Sequence, residues 1–110
     1  MTDQIIREQL STAVAEAALG VSGVAFLRPG LSGLLRTAGR SGPSGVRIGR
    51  TDGADGRDGW TAEVFVVLRQ GRRAVDVTRA VRAAVLRAVA DSGVADPTAV
   101  TVGVTVTGFA

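Results

Sequence analysis

The 110-residue sequence contains no cysteine, no histidine, no lysine and no tyrosine. Without cysteine there is no thiolate metal site, no thiol redox chemistry and no cysteine nucleophile. Without histidine the usual general base near neutral pH and the commonest zinc ligand are missing. Without lysine there is no amine for Schiff-base chemistry. Serine and threonine are plentiful, but no residue stands ready to activate them as nucleophiles. Phosphate-loop and dinucleotide fingerprints are absent as well. These gaps lead to the expectation of a protein that is not an enzyme and takes no cofactor.

Charge of one sign is also scarce. The 13 basic residues, all arginine, stand against 10 acidic ones, a net charge of +3. That is a mild bias and no nucleic-acid signature, so a nucleic-acid partner is not the first expectation. No run approaches the roughly 20 apolar residues of a membrane span. The opening MTDQIIREQL is polar with mixed charge, where a signal peptide would be basic and then apolar. A cytoplasmic protein is expected. Alanine, glycine, valine and arginine dominate, as in a GC-rich coding sequence, and this says nothing about chemistry.

What is present reads as one domain over residues 1–110, long enough to bury a core without disulfides or metal. Residues 3–19 carry Ile6, Leu10, Ala13, Val14, Ala17 and Ala18 at helical spacing. Asp3 is placed as N-cap and Gly20 as a left-handed C-terminal cap. GVAFLR (23–28) is a short strand candidate, ended by Pro29-Gly30. Within residues 30–45, Leu31, Leu34 and Leu35 predict a helical turn followed by a loop. GVRIGR (45–50) is a second strand. WTAEVFVVLR (60–69) is the clearest strand, with Ala62, Val64, Val66 and Leu68 on one face and Thr61, Glu63, Phe65, Val67 and Arg69 on the other. Residues 75–92 predict the strongest helix, capped by Asp76 and ended by Gly93, with a buried stripe of Val77, Val81, Ala84, Val85, Ala88 and Val89. AVTVGVTVTGF (99–109) alternates strictly and closes the chain as a strand. Two long helices on one face of a four-stranded sheet give an α+β two-layer sandwich.

TDGADGRDGW (51–60) looks chemical, with Asp52, Asp55 and Asp58 three residues apart. A calcium loop needs oxygen ligands two apart, and Ala54 and Gly56 occupy those places. Collagen-like triplets would need many repeats, and here there are two without proline. Glycine and aspartate between two strands predict a hairpin turn, with a weak cation site as the alternative. Added calcium is therefore expected to leave the melting temperature unchanged, and a clear rise would sink the turn reading.

Three further features bear on binding. GxxG occurs six times. The best placed is Gly30, Leu31, Ser32 and Gly33, where an RNA-binding KH loop would clamp a nucleic-acid backbone. Arginines gather around the second helix, among them Arg72, Arg73, Arg79 and Arg82. They form either a solvated face or a docking surface for an acidic partner, RNA or anionic lipid headgroups, and no aromatic residue interleaves with them for base stacking. Phe65 and Val67 sit on the sheet face away from the helices. Either the loop near residues 30–45 folds over them or they mark a self-association surface that makes a homo-oligomer.

Three blocks carry a resemblance to a known family. They are STAVAEAALGVSGVAFL (11–27), GLSGLL with the later GVRI, and AEVFVVLRQGRRAVDVTRAVRAAVLRAVADSGVADPTAVTVGVTVTGF (62–109). The last joins a valine-rich strand, a glycine-containing turn, a helix and a terminal V-x-V strand. In this the chain resembles the alkaline shock proteins, the envelope stress response family of Gram-positive bacteria. The resemblance implies a non-enzymatic scaffold that gathers on the cytoplasmic side of the membrane through a membrane-anchored protein partner and self-assembles.

Overall fold

The computed structural model describes residues 2–28, 45–52 and 58–110. Its elements are helix α1 (Thr2–Leu19), strands β1 (Val24–Leu27), β2 (Val46–Asp52) and β3 (Asp58–Leu68), helix α2 (Ala74–Ser92), a 3₁₀ turn at Pro97–Ala99, and strand β4 (Val100–Phe109). This is the expected α+β order. The helical turn read near Leu31–Leu35 lies outside the described residues.

Strand β3 is the axis of the sheet. On one edge it pairs antiparallel with β2, from Asp52↔Asp58 to Val46↔Val64, and then with β1, from Leu27↔Val66 to Val24↔Leu68. Phe65 marks the handover: its N–H donates to the Gly45 carbonyl, and its carbonyl accepts from the Arg28 N–H. β1 and β2 thus lie end to end along the same edge. β4 runs parallel to β3 along the other edge, because the α2 crossover returns the chain in the same direction. The sheet has four strands but is three strands wide.

Alternation along β3 divides its two faces. Trp60, Ala62, Val64, Val66 and Leu68 are all buried and join Leu10, Val14 and Ala18 of α1 and Val77, Val81, Val85 and Val89 of α2 in one core. Both helices therefore cover the same face. The valine stripe of α2 falls where the 3.6-residue period predicts, because β-branched side chains every four residues face the sheet. At the start of α1, Arg7 donates to the Ile48 carbonyl at 3.0 Å. The guanidinium groups of Arg7 and Arg50 lie 6.0 and 5.3 Å from the centre of the Trp60 ring. These contacts fix the N-terminal part of α1 on β2.

The helix ends differ from expectation. α1 begins at Thr2, which places Asp3 inside the helix and not at its cap. α2 begins at Ala74 with Arg73 at the N-cap, so Asp76 stands in the first turn, where its charge favours the helix dipole without capping it. Gly20 is not left-handed. The chain leaves α1 by tightening, with Gly20 N–H to Ala17 O and Val21 N–H to Ala18 O. Gly93 ends α2 as expected, and it does so as a left-handed cap, at φ 66°. Helical spacing sets Leu86 on the side of α2 that carries Arg79 and Arg82, yet it is half-buried against the core.

Candidate functional site

The sheet face opposite the helices carries the residues singled out from the sequence. Along β3 these are Thr61, Glu63, Phe65 and Val67. β2 adds Arg47, whose Nη2 lies 3.4 Å from Glu63 Oε2. β4 adds Thr101, Gly103 and Thr105. Most of this face is polar, and its apolar part is confined to the end where β1 joins β3.

Two irregularities build that end. The β1–β3 register shifts between Val24 and Phe26, so Ala25 is an extra residue. Strict alternation would point Phe26 into the core beside Val24. The bulge turns it away: Val24 is buried, while Phe26 is 42% exposed and lies opposite Val67. A second shift, between Val66 and Val67 of β3, leaves Thr107 of β4 unpaired in the ladder. Its hydroxyl donates to the Arg28 carbonyl at 2.9 Å. The Arg28 N–H is bonded to Phe65 on the opposite edge of β3. Residue 28 therefore crosses over β3 on the open face, and its guanidinium comes within 3.5 Å of where a Cβ on Gly108 would stand.

Val67 and Phe65 differ in exposure. Val67 is only 2% exposed and offers no surface to a partner. Phe65 is half-buried and, with Phe26, forms the accessible apolar patch of this sheet face. Residues 30–44 of the loop expected to fold over this face lie outside the described residues. Phe26 was missed in the sequence because no local signal marks the bulge that reorients it.

The arginines stand elsewhere. Arg72, Arg73, Arg79 and Arg82 are all exposed. Arg72 and Arg73 follow the Gly71 turn at the N-terminus of α2, and Arg79 and Arg82 lie further along the helix. Arg73 Nε is 4.0 Å from Asp76 Oδ2, an exposed pair of little energetic weight. Arg72, Arg73 and Asp76, with Gly23, Gly71 and Val77, line a shallow cleft of about 330 Å³ that Arg79 and Arg82 do not reach. The arginine set and the Phe26–Phe65 patch are separate surfaces. The candidate RNA loop, Gly30, Leu31, Ser32 and Gly33, lies outside the described residues, as do residues 53–57 of the aspartate stretch. The pairing of Asp52 with Asp58 shows the strands of a hairpin on either side of that stretch. Among the described residues no three acidic side chains cluster to hold a metal, and no helix is long and apolar enough to cross a membrane.

Compared with protein-family models, curated proteins and solved structures, the chain matches none.

Proposed function

We propose that this chain is a non-enzymatic interaction module of the cell envelope, of the alkaline shock protein kind, that docks on a membrane-anchored protein and self-assembles at the cytoplasmic face of the membrane. One observation carries the reading. Both helices lie on one side of the sheet, and a bulge turns Phe26 out beside Phe65 on the other side. A bulge that exposes an aromatic side chain gives up burial of roughly 2 kcal/mol, which a partner surface would recover. The missing histidine, cysteine and lysine agree with a protein that binds and does not catalyse.

Cell fractionation of a tagged copy tests this. Recovery with the membrane, surviving a salt wash, is the expected result, since an apolar contact is weakly screened. After the salt wash, Phe26→Ser with Phe65→Ser should leave the protein in the soluble fraction and lower its oligomeric mass, while Arg79→Glu with Arg82→Glu should do neither. Recovery with ribosomes or nucleoid, lost at high salt, would replace this reading with the RNA-binding one, because phosphate contacts release counterions.

A further inference from the structure

Five large apolar side chains are exposed among the described residues; Ile5 and Phe26 lie elsewhere, and the other three gather together. Leu19 (52%), Val75 (60%) and Phe109 (53%) come from three different elements: the end of α1, the start of α2 and the end of β4. The fold brings all three to one end of the molecule. Arg69 N–H donates to Gly23 O just beyond α1, Ala110 N–H donates to Leu68 O, and Gln70 N–H donates to Ala110 O. Between them projects the turn Arg69-Gln70-Gly71-Arg72-Arg73, which places three exposed arginines among the three apolar side chains. Asp76 is the acidic group beside this turn, and Arg73 already faces it. Isolated exposed leucines need no explanation, but apolar tips interleaved with cations at one pole of a domain are a recognised arrangement.

We infer that this pole is a docking surface for an anionic lipid bilayer, with Arg69, Arg72 and Arg73 at the headgroups and Leu19, Val75 and Phe109 entering the acyl boundary. Charge complementarity selects this occupant. An acidic protein would pair with the arginines but would leave three apolar tips on three separate elements without a common groove. A bilayer interface takes both at once, and it imposes no shape. The contact is distinct from the Phe26–Phe65 patch and requires no protein anchor.

The test uses the purified chain with an N-terminal tag and vesicles of phosphatidylglycerol in phosphatidylcholine, against phosphatidylcholine alone. Co-sedimentation with the anionic vesicles only is expected. Each arginine near such a surface contributes about 1 kcal/mol, so Arg72→Gln with Arg73→Gln should weaken binding about 30-fold. Val75→Ser with Phe109→Ser should weaken it as well, with an unchanged melting temperature showing that the fold is intact. Arg79→Gln with Arg82→Gln, further along α2, should have little effect. No retention on anionic vesicles, equal retention on neutral ones, or equal losses from the two arginine pairs would each overturn the inference. Insensitivity to the Val75 and Phe109 changes would overturn it too, leaving adsorption by charge alone. Because no protein partner is present, failure here leaves the protein-docking proposal standing, and loss of Phe26 and Phe65 should not affect vesicle binding.

Discussion

Gly45→Ala should lower the melting temperature by more than about 10 °C, far more than a change of one methyl group ordinarily does. Two effects combine. Gly45 holds φ at +87°, where a Cβ costs roughly 1–2 kcal/mol. The position is also crowded: a Cβ there would stand 2.7 Å from Leu27 Cβ and 3.0 Å from the Arg28 nitrogen. Backbone cannot rotate aside as a side chain can, so β1 and β2 would have to separate where they meet. That separation would strain the Phe65 N–H to Gly45 O bond (2.8 Å) and the Arg28 N–H to Phe65 O bond. Gly71 supplies the control. Its φ is +83°, but nothing lies within 4 Å of its would-be Cβ. Gly71→Ala should therefore show the conformational cost alone, a drop of about 5 °C. Thermal melts of both variants decide the matter. Equal drops would mean that β1 and β2 do not abut on one edge of β3.

That junction also shows where sequence reading stops. β3 and α2 were legible because their periods, two and near four, run uninterrupted through Ala62–Leu68 and Val77–Val89, and each period follows from a backbone geometry. Pairing is another matter. Nothing in VAFL or VRIGRTD says that both strands take the same edge, because edge choice depends on where the intervening chain goes. Phe26 illustrates a second limit. Alternation carried from Val24 places it in the core, and one extra residue in the ladder reverses that, since a shift of one position exchanges the faces of everything beyond it. The caps failed for a third reason. Asp3 and Asp76 are good capping residues, but the helices begin one and two residues upstream of them, and a capping preference of about 1 kcal/mol is too small to fix a boundary that closely. The exposed pole of Leu19, Val75 and Phe109 was illegible altogether. Its members are scattered along the chain, and only the fold assembles them.

Leu68→Ala should be among the most destabilising single changes in the chain, at about 2–5 kcal/mol against a total stability on the order of 5–15 kcal/mol. Leu68 is fully buried, stands opposite Val24 on one edge and Phe109 on the other, and faces the helices. Neighbours on both edges are held by ladder hydrogen bonds, so the cavity cannot collapse easily, and the loss should fall in the upper half of that range. Val67, its neighbour, makes the comparison informative. It is 2% exposed but lies outside the core cluster, on the face that residue 28 crosses. Among the described residues its cover is a single crossing of the chain and not a packed helix layer, so the surroundings can settle into the space that a smaller side chain leaves. Val67→Ala should therefore cost about 1–2 kcal/mol, well below Leu68→Ala but clearly above the ±0.5 kcal/mol typical of a surface site. Urea denaturation of the two variants reads both values from their midpoints. A negligible effect at Val67 would return it to the exposed surface and reopen its part in self-association. A loss as large as that at Leu68 would mean that the second face is packed as tightly as the first, leaving Phe26 and Phe65 as the rim of a second core.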